Sequence, residues 1–325
     1  MSALFESLRR GPTLVLGRAG MDIYADPPGE TAETAERFVA CLGGSAGNIA
    51  AGLGRAGHRT ELVSCVSDDA VGRFVINQLA QYGVGVAHVR TVKGEARTSF
   101  AVTETRLVDT QTVIYRNGAA DLLIDQAQVD GIDVARYGAL IVTGTALATE
   151  PSRSASLALM RRMADAGGIV ILDLDYRPYS WTSPGEVERV YRSAGETSHM
   201  VVGNDEEFAV MAGGGDGEAL AKALAAEGRI AIYKLGAEGS RTHTAEGMIE
   251  TGIFPVEAIK PMGAGDAFMA GLVAALADSG TLAEGVRRGS AAAAMVVSAI
   301  GCAPAMPTAS ALDGFISSRG GAAGA

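Results

Sequence analysis

Ala139-Leu140-Ile141-Val142, Ile169-Val170-Ile171-Leu172, Met200-Val201-Val202 and Ile230-Ala231-Ile232-Tyr233 decide the fold of this chain. Each is a short run, apolar at every position, as strands covered on both faces of a parallel sheet must be. Helical stretches over 152–166, 187–194 and 218–226 separate them. Strands alternating with helices predict an α/β fold with a doubly wound, mostly parallel central sheet flanked by helices. Outward toward the N-terminus, Thr13-Leu14-Val15-Leu16-Gly17 reads as a strand ending in a glycine turn. An Ala-rich helix over 46–55, a strand over 61–66 and an amphipathic helix over 69–82 follow it. Two Ala-rich helices, 265–277 and 282–297, close the chain, and the Ser/Gly/Ala-rich stretch 317–325 reads as a disordered tail.

One region breaks this rhythm. Thr98-Ser99-Phe100-Ala101-Val102-Thr103 and Gln111-Thr112-Val113-Ile114-Tyr115 are both strand-like, with no helix between them. Together, residues 23–39 and 95–119 are expected to form a small β-rich lid on a single domain spanning 1–325. Free strand edges on such a lid would suit pairing with a second copy, a homodimer.

Composition narrows the function classes. The 325 residues are 48% hydrophobic and 20% charged, with a net charge of −10. That excess of acid disfavours nucleic acid and anionic membrane as partners. Cys41, Cys65 and Cys302 are far apart, and His58, His88, His199 and His243 lack metal-ligand spacing, so neither a disulfide framework nor a zinc site is expected. Residues 1–10 lack the apolar core of a signal peptide, and the run 291–300 is too short to span a membrane. The chain reads as cytoplasmic. Gly52-Leu53-Gly54-Arg55-Ala56-Gly57 matches a dinucleotide fingerprint, but a helix precedes it and a strand follows, the reverse of what that chemistry needs. Its glycines are expected to serve close packing instead.

Pro261-Met262-Gly263-Ala264-Gly265-Asp266-Ala267-Phe268 opens a long helix. Free N–H groups at a helix N-terminus, reached past small residues, form an anion site. A carboxylate within that first turn suits phosphoryl transfer, taking a hydroxyl proton while backbone amides hold the phosphate. An ordinary capping aspartate would look the same. Asn204-Asp205-Glu206-Glu207 begins a helix after a strand. Its amide and carboxylate share a face, which fits either a hydrated Mg²⁺ or a plain helix cap. Lys234-Leu235-Gly236-Ala237-Glu238-Gly239-Ser240 joins two strands, offering a cation and close backbone approach, or simply a hairpin turn.

These motifs, with Gly43-Gly44-Ser45-Ala46-Gly47-Asn48 near the start, occur in an order that resembles the ribokinase-like (PfkB) carbohydrate kinases, from about residue 14 to 307. Three phrases narrow the resemblance to members acting on a keto sugar acid: Thr143-Gly144-Thr145-Ala146-Leu147-Ala148, Leu174-Asp175-Tyr176-Arg177-Pro178-Tyr179-Ser180-Trp181, and Ala303-Pro304-Ala305-Met306-Pro307-Thr308. The resemblance implies ATP and Mg²⁺ as cofactors, with Asp266 as catalytic base and Gly263, Ala264 and Gly265 as anion hole. It implies Asn204, Lys234, Gly236 and Gly239 at ATP, and Glu207 at Mg²⁺ through water. Asp22, Gly43, Gly44 and Asn48 would hold the sugar. Arg116 and Arg177, with Arg97 as a weaker candidate, offer bidentate recognition of a substrate carboxylate, although Arg177 could merely pair with Asp173 or Asp175. Lys260-Pro261-Met262 departs from the family's usual approach to this turn, which leaves the K⁺ site found there in relatives open. Other sugar kinases of the family and a non-catalytic sugar or nucleotide binder remain as alternatives.

Overall fold

Alternate residues of the central strands face two separate cores in the computed structural model, which describes residues 2–278 and 280–319. Val15, Ile141, Ile171, Val202 and Ile232 pack on one side, and Leu14, Leu140, Val170, Val201 and Ala231 on the other. Every one of these positions is apolar because neither face of the sheet meets water.

The strands, in chain order, are β1 (Thr13–Leu16), β2 (Gly20–Asp26), β3 (Arg37–Gly43), β4 (Thr60–Ser67), β5 (Val84–Val92), β6 (Phe100–Thr103), β7 (Thr112–Tyr115) and β8 (Ala139–Thr143). They continue as β9 (Ile169–Asp173), β10 (Met200–Asn204), β11 (Ile230–Lys234), β12 (Ser240–Thr244) and β13 (Gly247–Thr251). Nine of them form one sheet, ordered β13-β12-β11-β10-β9-β8-β1-β4-β5. From β11 to β5 the strands run parallel, and β12 and β13 add an antiparallel edge. The first strand, β1, therefore lies in the interior of the sheet; the chain winds from it to one edge through β4 and β5, and returns through β8 to the other. Such a reversal opens a crevice at the carboxyl ends of the strands, where ligands bind in open α/β folds.

The second sheet has four strands, ordered β3-β2-β6-β7. It is more extensive than the region of broken rhythm suggested, beginning at Gly20 and running back to Gly43. Its β2 and β3 lead directly out of and back into the crevice, between β1 and the helix Ser45–Arg55. Strand β5, which the sequence pattern did not reveal, mixes buried, half-buried and exposed residues without regular alternation, at the edge of the sheet. The GxGxxG stretch is helical packing: a Cβ on Gly52 would lie 2.6 Å from that of Ala270, and one on Gly54 would collide with the Tyr82 carbonyl. Of the tail expected over 317–325, residues 317 and 318 end the helix Ala309–Ser318, and 320–325 lie outside the described residues.

Candidate active site

The crevice collects its side chains from the ends of β1, β8, β9, β10 and β11 and from the first turns of two helices, Ser45–Arg55 and Ala264–Asp278. Gly263 turns the chain into the second helix with φ +84°, where any side chain would be strained and would also press on Cys302. Asp266 falls in the first turn of that helix. Its Oδ2 accepts a 2.8 Å hydrogen bond from Asn48 Nδ2, in the first turn of the facing helix. Surrounded by protein yet still reached by solvent, the Asp266 carboxyl is pushed up to about 6, chiefly by burial and then by the nearby Asp175 charge. The Asn48 hydrogen bond and the cations Arg177 and Arg18 oppose that shift. A carboxylate poised there is ionised at neutral pH and basic enough to accept a proton.

On one side of Asp266 stands Lys234, at the end of β11. A Cβ on Gly265 would come within 3.4 Å of its Nζ, so this ammonium faces the amides of the helix N-terminus. Gly236 and Gly239 both take positive φ, +58° and +87°, in the link to β12. Gly239 also has no room for a Cβ beside the Thr251 carbonyl, while Gly236 opens onto free space.

On the other side are Asp22, Gly43, Gly44 and Asn48. Asp22 is buried, and its carboxyl is pushed up by that burial against the pull of Arg18. A Cβ on Gly43 would overlap the Asp22 carboxyl, so this glycine makes room for Asp22 itself. Gly44, with φ +84°, packs on the Arg18 carbonyl and leads into the helix. Asp22 Oδ1 and Asn48 Oδ1 are sealed from bulk solvent and lack hydrogen-bond partners. Buried oxygens left this way are costly unless a ligand or water meets them.

A third group forms the wall between these two sides. Asp175 takes φ +36°, rare for a residue with a side chain. Hydrogen bonds from Ser45 and Thr145 (the latter 3.0 Å) and an ion pair with Arg177 at 2.9 Å hold it there. Arg177 also donates to its neighbour's Tyr176 carbonyl at 2.8 Å, and the Asp175 charge binds its proton more firmly still. The pairing with Asp175 that the sequence left open is therefore the one present, though Arg177 keeps an exposed face. Arg116 is fully engaged: Nε and Nη2 donate to Asp121, and Nη1 to the Thr145 carbonyl at 3.0 Å. It braces Thr145 rather than opening toward the crevice. Arg97 lies at the surface, donating to the Gly94 carbonyl.

Asn204 and Glu207 form a reciprocal helix cap. The Asn204 side chain accepts from Glu207 N at 2.8 Å, and Glu207 Oε2 accepts from Asn204 N at 2.8 Å. Glu207 Oε1 takes the Tyr176 N–H at 3.1 Å, fixing the wall to this helix. Asp173, at the end of β9, is buried; burial raises its carboxyl, Lys234 opposes, and Asp175, Glu207 and Asp266 add to the rise. Among the described residues no group of three or more His, Cys, Asp or Glu side chains could hold a metal ion by itself. The negative charge gathered beside Lys234 suits a hydrated divalent cation carried mainly by phosphate oxygens.

Two further buried cations stand near the site: Lys260, from the unusual approach to the turn, and Arg18, which the sequence reading did not single out. Lys260 is fully buried; its Nζ donates to the Met262 carbonyl at 2.8 Å and lies 3.9 Å from Cys302 Sγ. Arg18 follows β1 and is 7% exposed. The signal for Arg18 was a lone charge in the otherwise apolar run Leu14–Met21.

Comparison with known proteins gives the family and the fold. The model of the pfkB family carbohydrate kinases matches residues 13–309. A 5-dehydro-2-deoxygluconokinase of Photobacterium profundum is 40% identical over 313 residues, covering 94% of this chain and 95% of that protein. One of Geobacillus kaustophilus is 34% identical, with 93% and 92% covered. The crystal structure of aminoimidazole riboside kinase from Salmonella enterica, complexed with aminoimidazole riboside and an ATP analog, superposes with TM-score 0.81 at 25% identity. That match covers 94% of this chain and 100% of the other.

Proposed function

This chain belongs to the pfkB family of carbohydrate kinases, and we propose that it transfers the γ-phosphoryl group of ATP to the terminal hydroxyl of 5-dehydro-2-deoxygluconate. The supporting observation is the placement of Asp266 between a cation that faces a helix N-terminus and a pocket of unpartnered polar atoms.

Asp266, oriented by Asn48, takes the proton of the hydroxyl. The freed oxygen attacks the γ-phosphorus in line as the bond to the bridging oxygen breaks, and ADP leaves with that electron pair. Free amides of Ala264, Gly265 and Asp266 receive the charge on the transferred group. Lys234 offsets charge on the nucleotide side, and the open backbone at Gly236 lets the nucleotide approach. Asp22 Oδ1 and Asn48 Oδ1 accept hydrogen bonds from sugar hydroxyls. Asn204 and Glu207, locked to each other and to Tyr176, shape the nucleotide side, where water of a bound Mg²⁺ would meet the carboxylates. When bound, Mg²⁺ would supply charge neutralisation for the phosphates. We assign no K⁺ to the approach to this turn, because the Lys260 ammonium already stands against the Met262 carbonyl.

In this reading the four-stranded sheet is a lid that excludes water while ATP is bound. Its edge strands expose Phe38 and Val39 on one side and Val113 and Tyr115 on the other, which suits pairing of two copies. Three buried free cysteines and the demand for ATP favour a cytoplasmic enzyme. ADP release over a panel of sugar acids and neutral sugars tests the function. Selective turnover of the keto acid is expected; selective turnover of neutral sugars, or of nothing, sinks it.

A further inference from the structure

Arg18 is the arginine of the crevice whose guanidinium has nothing to hold. Among the described residues, no hydrogen bond or ion pair reaches its guanidinium, and Nη1 is sealed from solvent without a partner. The group is more than nine-tenths buried. A guanidinium cannot shed its proton, so this is a buried charge that no carboxylate meets at ion-pair distance. Such a charge is costly unless an anion arrives to pair with it.

Its position says which anion. The Arg18 carbonyl accepts the Gly47 N–H at 3.1 Å and packs against Gly44, which ties the residue to the loop that leads to Asn48. Its charge acts on the carboxyls of both Asp22 and Asp266, yet neither closes an ion pair with it. Arg18 thus belongs to the sugar side of Asp266, whereas Lys234 serves the side of the helix N-terminus, where phosphates bind. The two other arginines near the crevice are occupied, Arg116 by Asp121 and Arg177 by Asp175.

We propose that Arg18 is the residue that recognises the carboxylate of the sugar acid, and so selects acids over neutral sugars. This rests on the keto-acid reading above and deepens it. A planar fork meeting a carboxylate gives two parallel charge-assisted hydrogen bonds, which a neutral hydroxymethyl group cannot match. Failure to make them leaves the guanidinium buried and unpaired, so discrimination comes from the penalty on the wrong substrate as well as from attraction to the right one.

The experiment compares wild type, Arg18→Gln and Arg18→Lys on 5-dehydro-2-deoxygluconate and on the same sugar with its carboxylate reduced to the alcohol. For Arg18→Gln, KM for the acid is expected to rise about 10- to 100-fold, and the preference for acid over alcohol to fall by the same factor. KM for ATP stays within about twofold, because the phosphates meet other groups. Arg18→Lys recovers part of the loss, keeping charge without the fork. Without ligands, Arg18→Gln is expected to fold and to melt close to wild type, since it breaks no hydrogen bond or ion pair among the described residues. Unfolding of that variant would mark Arg18 as structural and overturn the proposal. So would an unchanged KM for the acid, or a rise in KM for ATP alone. A wild-type enzyme that ignores the acid but phosphorylates the alcohol sinks the keto-acid reading itself, a different result from an indifferent Arg18.

Discussion

Two groups of charged side chains meet at the carboxyl ends of the strands, and they differ in whether their polar atoms already have partners. In the wall, Asp175 is met by Ser45, Thr145 and Arg177, Arg116 by Asp121 (whose Oδ1 alone stays unpartnered), and Glu207 by two backbone amides. In the pocket beside Asp266, Arg18 Nη1, Asp22 Oδ1 and Asn48 Oδ1 have none. A satisfied network fixes geometry, and an unsatisfied one waits for a ligand. The same residue types, Asp, Arg and Asn, thus divide into framework and recognition according to what surrounds them.

The sharpest way to break this division is at its boundary. Asp266→Asn keeps the shape and an acceptor for Asn48 but cannot take a proton. Its kcat should fall about 10²- to 10⁴-fold while sugar acid and ATP still bind, seen as ligand-induced thermal protection. Near-normal turnover would move the base elsewhere.

The wall should respond in stability rather than in recognition. Arg116→Met leaves the Asp121 carboxylate buried without its partner, which costs on the order of 3–5 kcal/mol in urea unfolding. KM for the acid in the remaining folded enzyme should be unchanged. A raised KM with intact stability would transfer Arg116 from framework to recognition.

How much of this was legible beforehand follows from the same distinction. The strands around Ile171 and Val202 were readable because burial on both faces leaves an apolar run. The helix opened by Gly263-Ala264-Gly265-Asp266 was readable because glycine and a first-turn carboxylate are local signals. Strand β5 was not, because Val84–Val92 lies at the sheet's edge with a mixed pattern. Arg116 and Arg177 stand out in the sequence as arginines near strand ends, but their pairing with Asp121 and Asp175 is a matter of packing, not of spacing along the chain. Arg18 escapes a sequence reading for the converse reason. Its importance lies in having no partner, and no local pattern records that.

Acid titration sharpens the comparison further. Burial and Asp175 hold the Asp266 carboxyl at about 6. The base works only when deprotonated, so kcat/KM should be flat above that pH and fall about tenfold per unit below it. The same raised value means that ionising Asp266 weakens the fold. Its folded form binds a proton more tightly than the unfolded chain does, so stability declines as pH rises from about 4 to 6. A kcat/KM limb near 4 would show that the carboxyl is not held in this environment.

The smallest expected effect concerns the third buried cation, which belongs to neither group. Lys260 has a partner, the Met262 carbonyl, but no carboxylate in an ion pair, and burial lowers its proton affinity. Its ammonium is covalently tethered next to the turn that carries Gly263. A mobile alkali ion brought to the same carbonyl would face a like charge at close range, which disfavours its binding. Activity should therefore change by less than about twofold when K⁺ is replaced by tetramethylammonium at constant ionic strength. Lys260→Met removes the fixed charge while keeping a long apolar side chain. That variant should lose activity and recover part of it on adding K⁺, an ion the wild type ignores. A wild-type enzyme strongly activated by K⁺ would mean that the ion binds elsewhere, and that Lys260 holds the loop without standing in for it.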